Sequence, residues 1–402
     1  MKQALHFGGG SIGIGKQALH FGGGSIGIGF IADLLHESNY EVTIVDIDQE
    51  LVSQINETET FDLYLINEGY KKKQLTHIHG LSSIEDQSEI IEKISTTDLL
   101  TTAVWAENLP KIAPVLLEGL KRRVALGEKR VNILACENAM FNSEILRKAI
   151  LALDSSAAEW LDGIAAFPNT AVDRMVLASE HGGKKTIDIG RDHELVIEES
   201  KLVDPANKPI KDAVYTTNLK KYIERKLYVV NCGHAWAGYM GFVDGYSIIQ
   251  DVFHDEELVS MIRETMWESA HLLMEKHGFT EEDMTDYIDF IMARYQTSGI
   301  KDWITRVSRS PIRKLQPEER LVGPCVQCEE LGLKNERLLE GIAAAFLFDN
   351  PADEQSIEIL VFVAEHGIDE AIVHFTKIPL ESRLHPVIKN NYQKFLEKKE
   401  KA

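Results

Sequence analysis

The sequence predicts an α/β protein, with a doubly wound parallel sheet in residues 1–205 and a mainly α-helical domain in residues 206–402. Three observations point there. Up to about residue 205, short apolar runs of strand length alternate with stretches in which apolar residues recur every three or four positions, the pattern of strand–helix–strand units. A glycine cluster separates the first run from the first amphipathic stretch, where such a unit turns. Beyond about Pro205 the helical period continues while strand signals thin out.

Taken in order, the chain begins with a repeat. Lys2–Gly15 and Lys16–Gly29 are the same segment, KQALHFGGGSIGIG, written twice. With no later trace of it, this is one duplication and not a repeat array, so residues 1–15 are expected to be an appendage. A glycine loop that binds phosphate needs a strand before it and a helix N-terminus after it. Only the second copy is followed by an apolar-periodic helix, from Phe30 to about Ser38; the first runs into another strand-like ALHF. Ala18–Phe21 is therefore the first strand and EVTIVD, Glu41–Asp46, the second. Further strands are expected at Leu99–Val104 and Val131–Cys136, with a helix over Leu109–Leu126 between them. In the second domain Asp255–His277 and Asn335–Phe348 read as long amphipathic helices.

Composition narrows the function. A chain of 402 residues with 44% hydrophobic side chains can bury two cores. A net charge of −20 opposes broad binding to nucleic acid or anionic membrane, so neither is an expected partner. No apolar run is long enough to span a bilayer and no leader pattern is visible, which favours a cytoplasmic location. Cys325 and Cys328 form a CxxC, but Cys136 and Cys232 stand alone, so neither a zinc site nor a disulfide framework is expected.

Gly22, Gly24 and Gly27 form GxGxxG between strand and helix, the arrangement that turns tightly, lets a pyrophosphate approach the backbone and packs helix on strand. The expected dinucleotide cradle comprises Ala18, Leu19, His20 and Phe21 of the strand and Gly22, Gly23, Gly24, Ser25, Ile26, Gly27, Ile28 and Gly29 of the loop. Asp46 closes the next strand, roughly 20 residues on, where a carboxylate meets a ribose 2′-hydroxyl. That carboxylate repels a 2′-phosphate, so NAD is favoured over NADP in this Rossmann-type domain. Thr101, Thr102 and Val104 end a later strand where cofactor loops emerge; a cofactor contact by Thr102 and simple satisfaction of backbone groups fit that position equally well.

In the second domain, KLYVVNCGH places Lys226, Asn231 and His234 on a predicted helix at roughly 0°, 140° and 80° around its axis. A lysine within such an apolar helix loses charge stabilisation and suits a general base near neutrality. Asn can donate to an alkoxide and His can orient a hydroxyl. The same three residues also fit a structural set: a snorkelling Lys, a capping Asn and a core His.

ERKLYVVNCGHAWAGYMG, however, resembles the signature of the long-chain polyol, or mannitol, dehydrogenases, with its Lys-x4-Asn-x2-His pattern. GGGSIGIGF is similar to that family's cofactor loop GAGNIGRGF, and NILACENAM, FPNTAVDRMV and RVSRSPIRKL match further family segments in order. The loop departs from the pattern in Ser25 for Asn and Ile28 for Arg, which removes one pyrophosphate contact. The resemblance implies that Lys226 is the base, that Asn231 stabilises the oxyanion with Asn169 as a second donor, and that His234 binds substrate. It also places Glu137 and Asn138 near the nicotinamide end of the cofactor. Asp173 and Arg174 read as an ion pair holding their loop.

Arg306, Arg309, Arg313 and Lys314 crowd four cations into nine residues of an acidic chain. Guanidinium forks match phosphate oxygens, and resemblance to the phosphate-specific branch of the family makes this the expected substrate-phosphate pocket, in a cleft between the domains. The implied reaction is NAD-dependent oxidation of mannitol 1-phosphate to fructose 6-phosphate, without a metal and in a monomer. Two alternatives stay open: an unphosphorylated polyol or hexuronate as substrate, or an NAD-binding protein without turnover.

Overall fold

The computed structural model describes residues 15–297 and 301–401. The appendage expected at residues 1–15 lies, apart from Gly15, outside the described residues. The chain forms two compact units, one ending at Leu219 and the next starting at Lys220.

The described residues of the first unit form eleven strands: β1 Lys16–Phe21, β2 Tyr40–Asp46, β3 Thr60–Leu65, β4 Lys71–Thr76, β5 Ile78–Ser82, β6 Leu99–Thr102, β7 Val131–Ala135, β8 Ala165–Ala166, β9 Thr170–His181, β10 Lys184–Glu198 and β11 Val214–Thr216. Six form a parallel sheet in the order β5-β2-β1-β6-β7-β8. Successive side chains of a strand face opposite ways, and both faces of this sheet are covered. Leu19, Phe21, Val45, Leu100 and Ile133 join the core under the helices Gln87–Thr96, Leu109–Leu126 and Asn142–Leu153. Ala18, Val42, Ile44, Leu99 and Leu134 pack on the other side with Ile28, Ile31 and Leu35. Ile187, Ile189, Leu195 and Ile197 of β10 complete that second core.

Those last residues belong to a second sheet, β11-β10-β3-β4 with β9 paired to β10. The β9–β10 hairpin turns at Gly182 and Gly183, with φ of +63° and +75°, the positive-φ pair that a two-residue hairpin turn requires. The helix after the glycine loop differs from a regular one: it is a π-helix over Gly27–Ala32 before becoming α-helical over Asp33–Glu37.

The described part of the second unit is helical, as expected. Its longest helices are Glu256–His277, Glu281–Tyr295, Glu354–Thr376 and Leu384–Lys401. The Asp255 side chain accepts from Leu258 N and Gly278 ends the first of these at φ +67°, so an acid cap and a glycine stop bracket the predicted element. The core gathers around the fully buried Trp236, Tyr239, Phe346 and Phe348. Among the described residues no helix is long and apolar enough to cross a membrane.

Candidate active site

β1 is the strand at which the parallel sheet reverses direction of winding: β2 and β5 lie to one side, β6, β7 and β8 to the other. In open α/β sheets ligands bind beyond the carboxyl ends of the strands at this switch point. The glycine loop leaves β1 there. Gly22 has φ +106°, and a Cβ on it would stand 2.4 Å from the Ala103 carbonyl oxygen at the end of β6. A Cβ on Gly27 would lie 1.8 Å from the Gly22 carbonyl oxygen, which ties the helix start to the strand end. Around Gly24 the corresponding space is open, leaving its backbone accessible to a ligand.

Asp46, at the end of β2, accepts from Gly23 N through Oδ2 and from Asp48 N through Oδ1. A carboxylate has about four acceptor positions, so Asp46 can brace the loop and still receive a ribose hydroxyl. His20 is buried beneath the loop, its Nδ1 2.7 Å from Thr101 Oγ1. Burial pushes its pKa down to about 4, so the ring is neutral. The side chains of Ala18, Leu19, Phe21 and Ile28 are enclosed in the cores. These four expected cradle residues therefore position backbone, and at Ile28 packing takes the place of the family's arginine contact.

Thr102 donates to Glu137 Oε1 (2.8 Å), and the same carboxylate accepts from Val104 N (3.0 Å) and Trp105 N (2.9 Å). Burial raises the Glu137 pKa against these bonds. Glu137 and Thr102 thus shape the loop after β6. Asn138 follows Glu137 beyond the end of β7 and is exposed. Asn169 is buried; its Nδ2 donates to Glu198 (2.8 Å) and its Oδ1 accepts from Glu144 N. Glu198, which sequence reading passed over, fixes that amide, whereas its neighbour Glu199 pairs with Lys208 near the surface. Arg174 does not pair with Asp173. Adjacent residues of β9 point to opposite faces, and Arg174 instead reaches Asp33 Oδ2 (2.7 Å), Gly29 O (3.0 Å) and Gly190 O (2.9 Å).

In the second unit the predicted regular helix is corrected. Lys226–Asn231 is a π-helix that continues as an α-helix over Cys232–Val243. Hydrogen bonds in a π-helix link residues five apart, so Lys226 and Asn231 lie one wide turn apart rather than on opposed flanks. Lys226, Asn231 and His234 remain half-buried while Tyr228, Val229, Val230, Cys232 and Gly233 are buried, so all three polar groups keep partial access to solvent. Tyr295 Oη donates to the Val230 carbonyl inside the widened turn. The His234 ring stacks on Tyr295 at 5.3 Å and Phe253 at 6.0 Å, and burial lowers its pKa to about 4. It is a neutral donor and acceptor.

The basic segment divides. Arg309 and Arg306 line an open cavity of about 550 Å³ together with the acids Asp353 and Glu354 and with Trp303, Thr305, Ser310 and Asn350. Arg306 is held by Asp302 in a bidentate pair, Nε and Nη2 each donating to one carboxylate oxygen. Lys314 is not at the surface: it is buried, donates to the Val307 (2.5 Å) and Arg309 (2.7 Å) carbonyls, and burial drops its pKa to about 7. Arg313 is exposed, does not line the cavity and lies 4.0 Å from Glu319. Cys325 and Cys328 are free, buried thiols, and no described group of His, Cys, Asp and Glu is arranged to hold a metal.

Residues 16–209 match the mannitol dehydrogenase Rossmann domain and residues 218–389 the mannitol dehydrogenase C-terminal domain. The chain belongs to the mannitol dehydrogenase family. The match begins at Lys16, so the second copy of the duplicated segment supplies the family's first strand and glycine loop. Similar relatives include mannitol-1-phosphate 5-dehydrogenases of Arthrobacter sp. (strain FB24), 37% identical over 92% of both chains, and of Geobacillus stearothermophilus, 35% identical over 97% of this chain and 99% of the other. Among solved structures, Pseudomonas fluorescens mannitol 2-dehydrogenase, in ternary complex with NAD and D-mannitol, shares the fold with a TM-score of 0.71 at 17% identity, over 96% of this chain and 94% of that one. A D-sorbitol dehydrogenase in substrate-free form gives a TM-score of 0.70 at 16% identity, over 92% and 94%.

Proposed function

We propose that the protein is an NAD-dependent mannitol-1-phosphate 5-dehydrogenase, oxidising mannitol 1-phosphate to fructose 6-phosphate and catalysing the reverse reduction. The observation that carries this is the half-buried set of Lys226 and Asn231, at the ends of a π-turn, and His234, in the helix that follows, in a chain whose relatives of that name match it over more than nine-tenths of its length. Gly22, Gly24 and Gly27 form a backbone cradle that side chains would fill, and Asp46 ends β2 where the adenosine ribose belongs. NAD fits these residues, and supplies the hydride acceptor when bound.

Lys226, in its neutral form, takes the proton of the secondary hydroxyl. Asn231 donates to the oxygen as negative charge develops, with Asn169, pre-set by Glu198, as the second donor. His234, neutral and stacked against the Phe253–Tyr295 ring pair, orients the hydroxyl. Arg309 binds the substrate phosphate at its cavity, while Lys314 fixes the turn that presents it. The partners are small polyol and sugar phosphates, and the resemblance favours a cytoplasmic monomer.

The test is NADH oxidation with fructose 6-phosphate, fructose and fructuronate, in wild type, Lys226→Ala and Arg309→Gln. Turnover with fructose 6-phosphate alone, abolished in Lys226→Ala and with KM raised in Arg309→Gln, is the expected result. Preference for fructose or fructuronate refutes the phosphate assignment, and NADH binding without turnover refutes the enzyme.

A further inference from the structure

Trp105 combines two features that rarely meet. Its backbone sits at φ 73°, ψ 142°, a region that large residues avoid and glycine occupies, and its indole is 69% exposed. Nothing about core packing explains this, because the side chain is not in a core. Every neighbouring bond instead holds the backbone in place. Ala103 N donates to Phe21 O (2.7 Å), Val104 N and Trp105 N donate to the two oxygens of Glu137, and Asn108 closes the loop by donating to Val104 O (2.7 Å) and Trp105 O (3.0 Å). A buried carboxylate is committed to keeping a strained residue where it exposes a large aromatic ring.

The place is also specific. The loop leaves β6, which borders β1 on the side away from β2. Asp46 marks the β2 side as that of the adenosine ribose, so the other half of a dinucleotide crossing the switch point lies over β6. Rigid, exposed aromatics at such a rim serve binding, since they offer contact area at little entropic cost.

We propose that Trp105 is a cofactor-binding residue, its indole covering the nicotinamide-ribose half of NAD, and that Glu137 is the positioning residue that holds it there. The inference rests on the NAD reading given above. The probes are NADH and ADP, the latter lacking the nicotinamide half, in wild type, Trp105→Gly, Trp105→Phe and Glu137→Gln.

Glycine accepts the backbone angles of residue 105, so Trp105→Gly melts at a higher temperature than wild type without ligand. It nevertheless binds NADH about tenfold more weakly, in line with the loss of one aromatic contact, with ADP affinity unchanged. Trp105→Phe keeps most of the NADH affinity but lowers indole-to-NADH energy transfer by the contribution of this one of five tryptophans, and Glu137→Gln weakens NADH binding less than Trp105→Gly. Unchanged NADH affinity in Trp105→Gly overturns the proposal, as does equal weakening of NADH and ADP. A wild type that binds ADP but not NADH overturns the cofactor reading itself.

Discussion

Replacing Arg174 with Met should destabilise the first unit far more than the loss of a surface charge. The guanidinium and the Asp33 carboxylate are each 3% exposed and 2.7 Å apart, and the same Nη1 donates to Gly29 O at the start of the cofactor helix. Met fills the volume of the stem but leaves Asp33 with Lys73 as its remaining cation, at 2.6 Å. Breaking a buried pair by removing one partner costs roughly 3–5 kcal/mol. Because Lys73 still compensates the carboxylate, the low end applies, about 3 kcal/mol. In a unit of this size each kcal/mol shifts the midpoint by roughly 2–4 °C, so calorimetry should show the first transition lowered by on the order of 6–12 °C. Adding Asp33→Leu removes the stranded charge and should recover at least half of the loss, leaving Lys73 with Glu37 at 2.8 Å. A single variant that melts with the wild type, or a double variant no better than the single, refutes the reasoning.

Gly27→Ala places a methyl group 1.8 Å from the Gly22 carbonyl oxygen and 2.8 Å from His20 Nε2. NADH affinity should fall more than about tenfold, equivalent to 1.4 kcal/mol, as read by NADH titration. His20 has a folded pKa of about 4 against 6.5 for the free side chain. Between those values the unfolded chain binds a proton that the folded chain does not, so stability declines as pH falls from about 6.5 towards 4. His20→Asn should flatten that decline in the melting temperature of the first unit; an unchanged slope would show that other groups set it. Deleting residues 2–15 leaves β1, which starts at Lys16, intact, and should preserve NADH turnover and melting temperature. A large loss of either would give the first copy a role.

Much of this was legible in the sequence, for reasons that also explain the gaps. β1, β2, β6 and β7 stand out as short, largely apolar segments because both faces of the parallel sheet are covered, and the helix Leu109–Leu126 falls where its apolar period runs. The second sheet hid itself. KKKQLT in β4 and KKTIDIGRDHELVIE in β10 carry charges on accessible positions, so no apolar run or clean alternation marks them. Lys226, Asn231 and His234 were singled out by resemblance to the family signature, and their relative directions were not legible, since one widened turn leaves no trace in periodicity. Arg174 was assigned its sequence neighbour because adjacency was the only guide available. Trp105 carried no signal at all: positive φ is read from glycine and asparagine, and here a tryptophan is forced into it by a carboxylate 32 residues away.

The π-turn at Lys226 has a consequence for how this chemistry is looked for elsewhere. On an α-helix, residues that share a face stand three or four apart, whereas here the proposed base and the proposed oxyanion donor stand five apart. The four-residue gap in Lys-x4-Asn is thus a record of one inserted residue in the backbone ladder. An unrelated protein that placed the same pair on a regular helix would spell it Lys-x3-Asn or Lys-x2-Asn, and a search by the family's spelling would pass it over.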